Sequence, residues 1–272
     1  MRLTENNGVT LYHFELPAFE SVTSFVTTRH NASRNANARG NFNLGLYCGD
    51  DATQVEANLQ QLCASLSITR SQLFYPHQVH GSEVLSIDST FTSLPHEEQL
   101  SLLDGVDAIV TNVPGIAIAV TTADCVPIIL YDPEHQAIAA IHAGWRGTAK
   151  QIVRHTIEQM KQQYGTLPTQ LCAGLGPAIS IDAYEVGKEV VDSMRMAGVN
   201  VDSISIRNPR TGKMHLDISA ANVEQLLQCG VDLMNIEVCG ICTHRNSDDF
   251  YSVRALGSET GRFLTGVMLP AK

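Results

Sequence analysis

The stretch that most constrains this 272-residue chain runs from Val106 to Ile141, where three apolar segments follow one another with only short polar breaks. Residues 106–120 read as strand with a turn at Pro114-Gly115. Val126–Tyr131 reads as a second strand closed by Asp132-Pro133, and Ala137–Ile141 as a third. The longest apolar region, Val113 to Tyr131, is interrupted by Thr121, Thr122 and Asp124, so it is not a membrane-spanning helix. Helices lie to either side of this block. Thr53 and Glu56 have capping-box spacing, and Val55, Leu59, Leu62, Cys63 and Leu66 form one apolar stripe behind them. A second helix is expected from about Thr148 to Tyr164, with Ile152, Val153, Ile157, Met160 and Tyr164 inward and Gly165 as its stop. A third starts near Ser219 and ends at Gly230, while Val238–Ile241 and Phe250–Val253 read as short strands. Strands and helices mix without strict βαβ alternation, which predicts an α+β fold with mixed sheets. No linker, repeat or break in composition divides the chain, so residues 1–272 are expected to form a single domain.

Hydrophobic residues make up 44% and charged residues 17%, enough to build an ordinary core. The net charge of −10 repels phosphate backbones and anionic lipid, which argues against nucleic acid and membrane as partners. A local basic pocket can still hold a small anion. Met1 to Asn7 lacks the basic flank and apolar stretch of a signal peptide, and seven cysteines are scattered without a framework. Free thiols in a reducing, cytoplasmic setting are the expectation. Residues 31–41 are small, polar and Asn-rich, as suits a surface loop.

Chemistry concentrates between Val120 and Gly147. Ala123-Asp124-Cys125-Val126-Pro127 puts a polar Asp-Cys pair between two apolar runs, which is costly unless both find partners. Ile141-His142-Ala143-Gly144-Trp145-Arg146-Gly147 ends a strand on a histidine and turns tightly into a helix. The plainer reading makes His142 a hydrogen-bonded strand-end residue. In Tyr75-Pro76-His77-Gln78-Val79-His80-Gly81, two histidines stand three apart and face opposite sides of an extended segment. Spacing does not choose between His77 and His80. Two imidazoles and a thiolate are donors that zinc prefers, and three protein ligands leave a fourth position open. Cys239-Gly-Ile-Cys242 with His244 lacks a second Cys pair and reads as structural thiols.

Taken together these segments resemble the laccase-domain, or YfiH-like, family, once labelled polyphenol oxidases and now read as purine nucleoside phosphorylases. The matching stretches begin with Thr27-Thr28-Arg29, Phe42-Asn43-Leu44-Gly45, Gly49-Asp50-Asp51 and Gln78-Val79-His80-Gly81. They continue with Asp107 to Thr111, Thr122 to Pro127, His142 to Gly147, Gly176 to Ile179 and Tyr184 to Gly187. Cys242-Thr243, Phe250-Tyr251-Ser252 and Thr260-Gly261-Arg262 complete a likeness that is in order and nearly end to end.

The resemblance implies a sandwich of β-sheets with helices on the outer faces. It selects His80, and implies that His80, Cys125 and His142 are zinc ligands and active-site residues. The substrates it implies are purine nucleosides with phosphate, cleaved by phosphorolysis (adenosine, inosine, guanosine, methylthioadenosine), with adenosine deamination also reported in the family. Asp124 is the candidate acid or base, or an orienter of a histidine. Arg29, Asn43, Arg146 and Arg254 are candidates for holding substrate and phosphate, each with a structural alternative. Where the family usually has Asn-Arg in the first helix this chain has Asn58-Leu59, and losing such a cation costs about 1.5–3 kcal/mol of anion binding. Three other readings are a hydrolase with Cys125 as nucleophile, a metal-stabilised ligand-binding protein, and a copper oxidase. The last is disfavoured because a multicopper cluster needs many more histidines.

Overall fold

The computed structural model describes residues 1–31 and 40–271. Residues 32–39 of the expected surface loop lie outside the described residues. One sheet carries, in spatial order, β1 (Arg2–Asn6), β2 (Val9–His13), β3 (Thr23–Asn31), β15 (Phe263–Met268), β7 (Ala117–Thr122) and β4 (Leu73–Phe74). A second carries β14 (Ile236–Val238), β10 (Cys172–Leu175), β8 (Val126–Asp132), β9 (Ala137–Ala143), β6 (Ala108–Thr111) and β5 (Val84–Ile87). A small third sheet joins β11 (Glu185–Val186), β13 (Met214–Leu216) and β12 (Ser205–Arg207). The helices are α1 (Ala52–Ser65), α2 (Ser89–Thr92), α3 (His96–Leu103), α4 (Trp145–Ala149), α5 (Ile152–Tyr164), α6 (Lys188–Met196), α7 (Ile218–Gln228) and α8 (Val253–Leu256). Most neighbouring strands are antiparallel, but β4–β7, β5–β6 and β10–β14 are parallel.

The apolar runs lack polar alternation because both of their faces are covered. Along β8 and β9, Ile129, Tyr131, Ile138 and Ala140 point inward to meet Val26, Ile118, Val120 and Val267 of the first sheet. Their neighbours Ile128, Leu130, Ala139 and Ile141 face outward, where α5 and α7 cover them with Ile152, Met160 and Leu226. On the far side, Val55, Leu59 and Leu62 of α1 pack against Phe25, Ala119 and Leu264. The fold is therefore an α+β sandwich, two sheets face to face with helices outside. No helix among the described residues is long and apolar enough to cross a membrane.

Several elements end where local chemistry, not the apolar pattern, dictates. The expected strand 106–120 is two strands, and the turn at Gly115 (φ 74°) carries the chain from one sheet to the other. The first helix is capped by Asp51, whose carboxylate accepts the Thr53 N–H, not by a Thr53–Glu56 box; Glu56 instead pairs with Arg70 at 3.2 Å. The expected helix 148–164 is broken at Gln151, which takes φ 59°, so that α4 and α5 run separately. Phe250–Val253 is not a strand. Ser252 accepts the Ala255 N–H and starts the short turn α8.

Leu59 is wholly buried in the layer beneath α1, as its place on the apolar stripe predicts. Leu59→Ala should lower unfolding free energy by about 2–5 kcal/mol, read from urea denaturation, because the rigid sheet cannot collapse into the cavity.

Candidate metal centre

The chain crosses from the first sheet to the second between β7 and β8, and Cys125 sits in that crossing. The β8–β9 register places Val126 opposite Ala143 and Pro127 opposite His142, so Cys125 emerges beside Gly144. His80 arrives from the segment after β4. The ligating atoms of His80, Cys125 and His142 all lie within 4.8 Å of one another. The two imidazoles meet edge to face, 4.8 Å between centroids. A Cβ on Gly144 would stand 3.0 Å from both the Cys125 Sγ and the His80 ring, so only glycine leaves this space clear.

Asp107, at the start of β6, assembles the cluster. Its Oδ1 accepts the His80 N–H at 3.0 Å, and its Oδ2 accepts those of Val79 and Gly81 at 3.2 and 2.7 Å. Oδ1 also meets His142 Nδ1 at 2.7 Å, while the Asp107 carbonyl accepts the His142 N–H at 2.8 Å. With Nδ1 occupied, His142 presents Nε2 to the cluster. His80 holds φ 59°, a left-handed conformation uncommon for a residue with a side chain. That turn ends the extended alternation, and so His77 and His80 both line the cleft. Gln78 ties the segment to β7 by exchanging hydrogen bonds with the Thr121 backbone.

Burial by itself would raise the Cys125 thiol, but the adjoining His142, with His80, brings it down to about 6. Burial likewise opposes charge on His142, yet Cys125 and Asp107 raise it to about 9. The two shifts share one cause, since the thiol and the imidazole each favour the charged form of the other. Burial also disfavours the Asp107 carboxylate, and the His142 contact with the N–H donors outweighs it, so its pKa falls.

The other expected site residues are engaged elsewhere. Asp124 takes φ 89° and its carboxylate accepts from the Thr243 hydroxyl and the Arg254 N–H, so the orienting of a histidine falls to Asp107 instead. Arg29 is buried in β3, donates to the Ser247 carbonyl and lies 5.4 Å from the Tyr251 ring centroid. Asn43 is buried too, where its amide oxygen accepts from Gly45 and Arg262 N–H and its nitrogen donates to Asp50. Arg146 stacks over Trp145, and Arg254 donates to the carbonyls of Ala183 and Glu185. None of these five lines the cleft above the cluster. Arg262 does, together with Tyr47, whose ring stacks on His77 at 3.9 Å. Sequence reasoning assigned no role to Asp107 or Arg262, although both stand in the matched stretches.

Residues 23–270 match the family described as multi-copper polyphenol oxidoreductase laccase, and the chain belongs to that family. It is 40% identical over 254 residues to a purine nucleoside phosphorylase of Bacteroides thetaiotaomicron, covering 93% of this chain and 94% of the relative. It is 41% identical over 248 residues to adenosine deaminase RL5 of an unknown prokaryotic organism, covering 91% and 94%. Among solved structures it is similar to YlmD from Geobacillus stearothermophilus, with TM-score 0.89, 29% identity and 98% of each chain covered.

Asp107→Asn should weaken metal binding by roughly 10–100-fold in a chelator competition, because the amide cannot replace the carboxylate at every donor it serves. The His142 proton must leave before Nε2 can bind a metal. Apparent Zn2+ affinity should therefore climb roughly tenfold per pH unit from about 6 to about 9, level off above, and fall more steeply once Cys125 is protonated.

Proposed function

We propose that this chain is a zinc-dependent purine nucleoside enzyme that splits the glycosidic bond with phosphate, with adenosine deamination as a second reading of the same centre. The convergence of His80, Cys125 and His142 carries the proposal. Two imidazoles and a thiolate suit zinc, and the exposed side of His80 leaves a coordination position open. The backing of His142 by Asp107 is the carboxylate–histidine arrangement common behind metal ligands. A multicopper cluster needs many more donors, and this triad is the single such cluster among the described residues. When bound, zinc supplies a Lewis acid and brings bound water toward neutral pKa.

The remaining chemistry belongs to the chain's own side chains. In phosphorolysis a phosphate oxygen bonds to the ribose C1′ as the C1′–N bond breaks, and the purine leaves with the electron pair and takes a proton. On a chain of net charge −10, phosphate needs a local cation, and among the described residues Arg262 is the arginine on the cleft wall. His77 stands on the rim with Nδ1 bonded to Asp104 at 2.6 Å, which leaves Nε2 to take a proton from the incoming phosphate and pass it to the departing base. Leu59 lies in the core and does not line the cleft. The relatives named as phosphorylases support the first reading, and the 41% identical adenosine deaminase supports the second. Seven free cysteines suit a cytoplasmic enzyme.

Incubating the protein with adenosine should yield adenine and ribose 1-phosphate when phosphate is present. Inosine in its absence would establish deamination, and no turnover of any purine nucleoside would remove both readings. Chelation and Cys125→Ala should each abolish turnover, whereas a Cys125 hydrolase would survive chelation. Arg262→Gln should raise the KM for phosphate by roughly one to two decades, the effect of one charge-assisted hydrogen bond.

A further inference from the structure

The wall of the cleft that carries Arg262 is held from behind by one buried amide. Gly45, Cys48 and Arg262 stand together on that wall. Asn43, 1% exposed, bonds to all three. Its amide oxygen accepts the Gly45 N–H at 3.0 Å and the Arg262 N–H at 2.8 Å. Its amide nitrogen donates to Asp50 at 2.8 Å and to the Cys48 sulfur at 3.2 Å. The Asn43 carbonyl accepts from the buried Asn58 of α1 at 2.9 Å, and the Leu44 N–H donates to the Arg262 carbonyl at 3.0 Å. Residues 43–45 thus clasp the Arg262 backbone at both its N–H and its carbonyl. Gly45 governs the side chain in turn. A Cβ there would stand 2.9 Å from the Arg262 Cβ and 2.8 Å from its Cγ, closer than packed carbons come, so the stem runs across the bare glycine. Among the described residues the guanidinium bonds through Nη1 alone, to the carbonyls of Thr260 and Gly261, which leaves the donors on Nε and Nη2 for an anion.

We propose that Asn43 and Gly45 are positioning residues for phosphate, acting through Arg262 to fix where its free donors point. Asn43 is buried with both ends of its amide engaged, so its work is done on the arginine and not on the substrate. A guanidinium grips phosphate as a rigid planar fork, and a fork that is turned away loses bonds that a flexible ammonium would keep. The inference rests on the phosphorolysis reading and names what sets its phosphate affinity.

Asn43→Ala removes the acceptor shared by Gly45 and Arg262, while Gly45→Ala pushes the arginine stem aside without removing a hydrogen bond. Each should raise the KM for phosphate about tenfold, the effect of one lost charge-assisted hydrogen bond, with kcat and the KM for adenosine within about twofold. A general loss of packing would not single out phosphate. Repeating both substitutions in Arg262→Gln should raise the phosphate KM no further, because residues that act through one partner are not additive. Calorimetric titration with inorganic phosphate reads the same pattern without turnover. Should Asn43→Ala not fold, Gly45→Ala with and without Arg262→Gln carries the test. Phosphate binding that the variants weaken only while Arg262 is present, in a protein that turns over no nucleoside, would uphold the inference and remove the proposed function. Phosphorolysis with an unchanged phosphate KM in the variants, or with equal losses whether or not Arg262 is present, would overturn the inference and leave the proposed function standing.

Discussion

One buried carboxylate organises the functional end of this molecule. Asp107 is fully shielded from solvent, and an anion there is costly unless it is satisfied by donors. Three successive N–H groups and an imidazole meet that requirement. The same contacts hold residues 79–81 in a turn that His80 would otherwise disfavour, and they fix which nitrogen of His142 faces the cluster. Asp107 thus positions two of the three donors, His80 and His142.

The sandwich gives that carboxylate its rigidity. β6, β8 and β9 are covered on both faces, by the opposite sheet and by helices, and strands packed this closely have little room to slide. The site sits where β8 begins and β9 ends, with the sheet-to-sheet crossing delivering Cys125. Non-glycine residues with positive φ mark both approaches, His80 on one side and Asp124 on the other. Such conformations persist where surrounding bonds impose them, and here Asp107 holds the first while Thr243 and Arg254 hold the second.

Electrostatics divides the work among the arginines. Arg29 and Arg254 direct their guanidinium groups to backbone carbonyls, which ties loops together and leaves Arg262 on the cleft wall. Arg262 also donates to the carbonyls of Thr260 and Gly261, an arrangement that orients it against Gly45. On the same cleft wall Cys125 and His142 each favour the charged form of the other, in a protein whose overall charge is strongly negative. The family is described as a copper oxidoreductase, and the donor set that the described residues bring together is two imidazoles and one thiol.

Much of the architecture was legible in the residues themselves. Continuous apolar runs at 126–131 and 137–141 demanded burial, and the spacing of Val55, Leu59 and Leu62 demanded a helix with one buried face. These are local regularities, and periodicity reports them directly. The motifs around Cys125 and His142 were visible for a similar reason, since a polar group set into an apolar run is conspicuous. Spacing left His77 and His80 open and the family resemblance selected His80, but only the tertiary structure shows why both reach one cleft, because a single positive φ overturns strand alternation. It also decided that Asp107 and not Asp124 supports His142. Being adjacent to Cys125 in sequence gave Asp124 no such role, whereas Asp107, 35 residues from His142, reaches it through the pairing of β6 with β9. The choice among arginines was equally invisible, since a guanidinium's role depends on which carbonyls the fold brings within reach.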